Sequence, residues 1–470
     1  MRQDAGVDGD AQRISQIVWM VFLKMFDDKE KEYETLDPKY KSPIPEKLRW
    51  RNWATDEEGI TGEKLLDFVN NILFKGLKNL PAWGLHAEAS AQAGDARGLI
   101  VRQVFEDAYN YMKSGTLIRQ VVNKINQIDF NRKDERHLFN DIYEHMLKEL
   151  QSAGNAGEYY TPRPITEFIV EMTGPKLGQK ILDPACGTGG FLANAIEYIR
   201  TREVKSPKDE KKLQESLFGV EVKPLPYLLA ITNLMLHGVE VPRQIRRADM
   251  LARPLRDYGP SDRVDIIVTN PPFGGVVAAG TDANFPAELR TRETADLFLA
   301  LIMHLLKPGG SAGIVLPDGS LFGEGVKTRI RAKLLEECNL HTIVRLPQGV
   351  FSPYAGVKTN LLFFTKGEPT KEIWYFEHPL PEGYRAYSKN RPIQSKEFAL
   401  ERKWWQNRKK TVNAWKVSIK EIKDQNYNLD FKNPNGKADL AHKSPAELVK
   451  EIEGKERKIV GILTELKKNL

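Results

Sequence analysis

From Ala11 to about Leu150 the apolar positions recur every three or four residues, the spacing that lines one face of an α-helix. Ile14, Ile17, Val18, Val21, Phe22 and Met25 form one such stripe. Leu65, Phe68, Val69, Ile72 and Leu73 form another, and Phe139, Ile142, Tyr143, Met146 and Leu147 a third. The spacing predicts a helical amino-terminal domain over residues 1–150. Gln151-Ser152-Ala153-Gly154-Asn155-Ala156-Gly157 then breaks the pattern with small and polar residues and reads as a linker. Beyond it, short apolar runs alternate with helical stretches, which predicts a parallel sheet with helices on both faces. The strands read from the pattern begin at Ile181, Leu217 and Val264, and continue with Ala312 to Leu316, Thr342 to Leu346 and Leu361 to Thr365. A helix from Ala295 to Leu306 stops at Lys307-Pro308-Gly309-Gly310. The sheet is expected to finish by about Gly367, giving an α/β domain over residues 151–370. Residues 371–470 look irregular until Ser444-Pro445-Ala446-Glu447, a strong helix start. Leu448, Ile452, Ile459, Ile462 and Leu466 then follow a heptad seam broken by Lys455, which suits packing against one or two other helices.

Charge changes this picture at one end. Residues 371–470 carry 22 Lys and Arg against 14 Asp and Glu, more than the whole-chain excess of +7. A basic tail favours a polyanion, and Arg402-Lys403-Trp404-Trp405-Gln406-Asn407-Arg408-Lys409-Lys410 mixes cations with aromatics as nucleic-acid surfaces do. A solvated helical face has the same composition. The two cysteines, Cys186 and Cys338, lie far apart, which points to a reducing cytoplasm rather than a disulfide framework. The eight histidines show no metal-ligand spacing, so no metal site is expected. No signal peptide and no membrane-spanning run is legible.

Three strand ends carry the candidate chemistry. Ile181-Leu182-Asp183-Pro184-Ala185-Cys186-Gly187-Thr188-Gly189-Gly190-Phe191-Leu192 reads as a strand, a glycine turn and the start of a helix. Glycines let a ligand approach the main chain, and the helix start offers free N–H groups. The turn is neither the G-x-G-x-x-G fingerprint nor a Walker loop, so phosphate binding is the weaker reading. Leu217-Phe218-Gly219-Val220-Glu221 ends in an acid, the place where Rossmann-like sheets hold ribose hydroxyls. The apolar run Val264-Asp265-Ile266-Ile267-Val268-Thr269 meets Asn270-Pro271-Pro272-Phe273. There the Asn270 amide offers an acceptor, the prolines free a neighbouring carbonyl, and Phe273 offers a flat face. That set suits the amino nitrogen of a flipped-out base.

In this order the motifs resemble the amino-group DNA methyltransferases that use S-adenosyl-L-methionine, and more narrowly the methylation subunit of a type I restriction-modification system. The resemblance runs from Gly6-Val7-Asp8-Gly9-Asp10-Ala11-Gln12-Arg13 to about Gly367. It also takes in Gly157-Glu158-Tyr159-Tyr160-Thr161-Pro162-Arg163-Pro164, Leu316-Pro317-Asp318-Gly319, Leu346-Pro347-Gln348-Gly349-Val350-Phe351 and Gly356-Val357-Lys358-Thr359-Asn360.

The resemblance implies a seven-stranded Rossmann-like sheet whose seventh strand, Leu361 to Thr365, runs antiparallel between the fifth and sixth. It implies a cofactor site over the turn Asp183, Cys186, Gly187, Thr188, Gly189 and Gly190, with Glu221 on the ribose and Asp249 on the cofactor's adenine. Glu158, Tyr159, Tyr160, Thr161, Pro162 and Arg163 would close over the methionine end. Asn270, Pro271, Pro272 and Phe273 would be catalytic, acting on adenine N6 of double-stranded DNA. No room remains after the sheet for a reader of specific bases. The resemblance therefore implies a separate specificity subunit, met through the helix over residues 444–470, a second methylation subunit, and in some complexes a restriction subunit. Two alternatives stay open: an amino-group methyltransferase of protein glutamine or RNA, and a non-catalytic assembly scaffold that keeps the fold.

Overall fold

The structure is a computed structural model describing residues 1–81, 93–151, 160–352, 356–435, 453–457, 459–460 and 463–464. Its first long element is the helix Gly9–Leu36, which buries Val18 through Leu23 without a break. One apolar stripe cannot explain six consecutive buried residues. The helix is covered all round because it lies between its own helical neighbours and the sheet-covering helix Pro224–Leu236. Trp19 meets Phe74 edge-on at 5.0 Å, and Phe74 meets Phe105 at 5.3 Å, filling the helical side.

The second apolar stripe departs from the α-helical pattern. A π-helical turn, Phe68–Leu73, interrupts the helix that begins at Gly62. The buried positions Leu65, Val69, Leu73 and Leu77 are each four residues apart, which the wider π turn accommodates. Ile72 is turned outward at 40% exposure, against the reading from periodicity.

The strands form one sheet in the order β3-β2-β1-β4-β5-β7-β6-β8-β9. These are β1 (Ile181–Asp183), β2 (Leu217–Glu221), β3 (Ile245–Arg247), β4 (Val264–Thr269) and β5 (Leu306–Pro317). They are followed by β6 (Cys338–Arg345), β7 (Thr359–Lys366), β8 (Glu372–Glu377) and β9 (Ala414–Ser418). β7 runs antiparallel between β5 and β6, as expected.

Among the described residues the sheet has nine strands rather than seven, and it does not finish at Gly367. β8 pairs parallel with β6, and β9 pairs antiparallel with β8. The extra strands bury Ile373, Tyr375, Phe376 and Val417, and Tyr375 stacks on Trp415 at 5.3 Å. They cover the flank that β6 would otherwise expose. The charged ends of β8, Glu372 and Glu377, hide it from a reading by apolar runs.

The rings and two of the arginines of the basic-aromatic stretch are also committed to the fold, while Lys403, Lys409 and Lys410 are exposed. In the helix Ala399–Gln406, Trp404 is buried and Trp405 meets Phe363 at 4.9 Å. Arg402 pairs with Glu171 at 2.5 Å, and the Arg408 guanidinium lies 4.4 Å above Trp405. These cations and rings clamp a helix onto the sheet. Within 444–470 the described residues 453–457, 459–460 and 463–464 are helical and exposed. The cap at Ser444 and the seam positions Leu448, Ile452, Ile462 and Leu466 lie outside the described residues. Among the described residues no helix is long and apolar enough to cross a membrane.

Candidate active site

Parallel strands β2, β1 and β4 lie side by side, so Glu221, Asp183 and Asn270 arrive together at their carboxyl ends. A cavity of about 390 Å³ opens there. Its floor is the glycine turn. Gly187 and Gly189 have φ of 52° and 76°, which side-chain-bearing residues rarely adopt. A Cβ on Gly189 would sit 3.3 Å from the Cα of Ala230, so the turn also packs directly on the next helix.

The Asp183 carboxyl is buried. It accepts a hydrogen bond from the Thr269 hydroxyl at 2.6 Å and one from the Ala185 N–H at 3.2 Å. Its second oxygen, Oδ2, has no hydrogen-bond partner among the described residues. Burial pushes this carboxyl up to about 7, the two hydrogen bonds opposing the shift. Glu221 is buried as well. Its carboxylate accepts from the Gly187 N–H at 3.0 Å and the Lys223 N–H at 2.7 Å, and burial again holds it above the usual range. The two N–H donors aim the acid across the turn and leave its remaining lone pairs toward the cavity.

Asn270 follows the last residue of β4, where the two prolines end the ladder. Its side-chain nitrogen donates to the Thr161 hydroxyl at 3.0 Å, which sets the amide's orientation. Its oxygen, Oδ1, is buried with no hydrogen-bond partner among the described residues. An orphaned buried acceptor is costly, so it marks a place where a donor belongs. Phe273, half-buried, stands nearby with its ring at 82° to that of Phe351, centroids 5.7 Å apart.

The cavity wall brings together Thr161, Asp183, Cys186, Gly187, Thr188, Gly190, Glu221, Asp249, Asn270, Pro272 and Phe273, eleven of the residues singled out in the sequence. Cys186 is a packing residue there. Its thiol is pushed well up by burial and lies 3.2 Å from where a Cβ on Gly219 would be. Tyr160, Pro162, Arg163, Gly189 and Pro271 do not line the cavity. Arg163 turns the other way. It bonds the Glu144 carboxylate, the Gly190 carbonyl at 3.1 Å and Asn194 at 2.9 Å, tying a helix of the amino-terminal region to the glycine turn. Glu158 and Tyr159 lie outside the described residues.

The motifs did not give Thr269, which orients Asp183, or the apolar wall of Val222, Met250, Leu251 and Phe298. One signal was available for most of these. Val222 follows Glu221, and Met250-Leu251 follows Asp249, so each acid is trailed by the apolar residues of the same pocket.

Comparisons with known proteins give the family of the chain. The family model described as N-6 DNA Methylase matches residues 134–443. The chain belongs to the N-6 DNA methylases. Residues 1–125 match the model described as the HsdM N-terminal domain. The N-6 DNA methylase described here is 54% identical to the type I restriction enzyme EcoEI methylase subunit of Escherichia coli, over 99% of this chain and 94% of that one. It is similar to a modification subunit assigned to a type I restriction enzyme from Vibrio vulnificus YJ016, with a TM-score of 0.80 and 44% identity, covering 93% of this chain and 94% of that one. A chain from a structure of type I restriction-modification assembly and conformational transition gives a TM-score of 0.84 at 37% identity, covering 99% and 94%.

Proposed function

We propose that this N-6 DNA methylase is the methylation subunit of a type I restriction-modification complex, transferring a methyl group from S-adenosyl-L-methionine to N6 of a flipped adenine in duplex DNA. The buried, partnerless Oδ1 of Asn270, beside the half-buried ring of Phe273, carries this reading.

The cavity residues fit a cationic, nucleoside-bearing cofactor. Two buried carboxyls, Asp183 and Glu221, are both held above their usual range, and a positive ligand relieves that cost. Glu221 would hold the ribose hydroxyls, the turn Asp183 to Gly190 would border the methionine end, and Asp249 with Met250 and Leu251 would hold the base. S-adenosylmethionine supplies a methyl group already activated by its positively charged sulfur.

The chain's own work is on the adenine. Phe273 offers the ring face on which the base stacks. Asn270 Oδ1 and the Pro271 carbonyl accept hydrogen bonds from the amino group and draw its lone pair out of conjugation with the ring. Thr161 holds the Asn270 amide so that its oxygen, not its nitrogen, faces the base. Positioning and fixed dipoles supply most of the acceleration.

Sequence reading falls to a separate specificity subunit, which would bind residues 444–470, with a second methylation subunit in the same complex and a restriction subunit completing the nuclease. The relatives' names, a type I methylase subunit and a chain from an assembled type I system, support membership of a multi-subunit enzyme. The direct test is mass spectrometry of duplex DNA for N6-methyladenine after incubation with the assembled chain and cofactor. Methylated glutamine or RNA in place of methylated DNA would replace this reading with its alternative.

A further inference from the structure

Far along the chain from the Asn-Pro-Pro-Phe corner, a chain of titratable side chains lies buried. The His378 Nδ1 is 2.6 Å from a Glu401 carboxylate oxygen, and both side chains are fully buried. On the other side of the ring, Nε2 is 3.1 Å from the Tyr387 hydroxyl, which reaches Glu397 at 3.3 Å. Glu401 Oε2 has no hydrogen-bond partner among the described residues. A buried polar chain of this kind is costly where its members lack partners, and where they are paired it holds them rigid. Here it fixes Tyr387.

The backbone of Tyr387 is docked on the loop after β6. Its N–H donates to the Gln348 carbonyl at 3.1 Å. Gly349, at φ of 86°, lies so close that a Cβ would come within 2.1 Å of the Tyr387 carbonyl oxygen. Two residues further on, Phe351 is buried and meets Phe273 edge-on. The loop therefore carries the prop that sets the plane of the Phe273 ring. Its other end is tied to the same cluster, because the His378 N–H donates to the Arg345 carbonyl at 3.0 Å.

We propose that Glu401, His378 and Tyr387 are positioning residues for capture of the target base, acting through Gly349 and Phe351 to hold the ring of Phe273. The inference rests on the reading of Phe273 given above. None of the three residues lines the cofactor cavity, so cofactor affinity should not depend on them.

The test uses the assembled methylase and two duplexes, one with the target adenine paired and one with it opposite a mismatch. An already unpaired base costs less to flip. Tyr387→Phe is expected to raise KM for the paired duplex by about tenfold, the size of one lost buried hydrogen bond. The mismatched duplex should recover most of that loss, while kcat and cofactor affinity stay within about twofold of wild type. Gly349→Ala, which attacks the same contact from the other side, should give the same mismatch-dependent defect. Equal losses on both duplexes, or no loss on either, would overturn the proposal. Asn270→Ala separates the two readings: if it methylates both duplexes normally, the site assignment fails and not the relay alone.

Discussion

The long helix Gly9–Leu36 and the cavity over β1 and β4 both bury polar and charged side chains, and they treat them in opposite ways. On the helix the buried charges have ionic or hydroxyl partners, and even Asp27 Oδ2, which accepts no hydrogen bond among the described residues, has the Lys31 ammonium at 3.5 Å. Lys24 pairs with Asp28, Asp27 with Arg51 at 2.9 Å, and Glu30 with the Tyr40 hydroxyl at 2.6 Å. In the cavity, Asn270 Oδ1 and Asp183 Oδ2 have no hydrogen-bond partner among the described residues. The helix spends its polar groups on neighbouring side chains and gains a fixed structure. The cavity withholds two acceptors at a cost in stability and keeps them for a ligand.

The largest effect should come from breaking a pair on the helix. Lys24→Ala removes the nearer of the two cations on buried Asp28, leaving Lys31 at 3.4 Å from its other oxygen, and the loss should be about 3 kcal/mol in denaturant unfolding. Cofactor affinity of the folded protein should stay unchanged, and a comparable loss of affinity would erase the contrast. Next is the cavity's own acceptor. Asn270→Ala should lower the methylation rate by on the order of a hundredfold or more, with thermal stability kept or raised because an orphaned group is gone. A marked fall in melting temperature would show Asn270 to be structural. Glu221→Ala should weaken cofactor binding by more than about tenfold, read by calorimetry.

A separate effect is read against pH. The folded-state carboxyl of Asp183 is raised to about 7, so between about 4 and 7 the folded protein holds a proton that the unfolded chain has lost. Its contribution to stability is therefore present at low pH and is lost as pH rises toward 7. Unfolding of wild type compared with Asp183→Asn should show the wild type gaining stability as pH falls through that window. Parallel pH profiles would mean that Asp183 is ionised in the fold.

The same contrast explains what could be read in advance. β4 was legible residue for residue, because a buried parallel strand is a continuous apolar run and two prolines mark its end. The antiparallel β7 was legible through the resemblance. β8 was not, since its apolar residues sit between acids and its partner β6 is distant in sequence. Trp404 and Trp405 were ambiguous, because cations beside aromatics describe both a nucleic-acid surface and a helix clamped to a sheet, and here the rings pack while Lys403, Lys409 and Lys410 stay exposed. At the site, motif membership located Asp183, Glu221 and Asn270 but could not give the direction of a side chain. Arg163 lies two residues from the cavity-lining Thr161 and points into a different network.

The burial of Val18 to Leu23 on every side has a further consequence. The Tyr227 hydroxyl bonds Gln103 at 2.9 Å across the boundary between the two family matches, and the Tyr143 hydroxyl, on the helix that follows that boundary, bonds the Leu229 carbonyl at 2.8 Å. One hydrophobic cluster runs from Ile14 through Leu229 to Phe363. The helical front is thus no detachable accessory, and the sheet's outer helices have no solvent-ready face beneath it. Cutting the gene at the family boundary should yield two sticky, incomplete proteins, whereas the intact chain should melt in a single cooperative step.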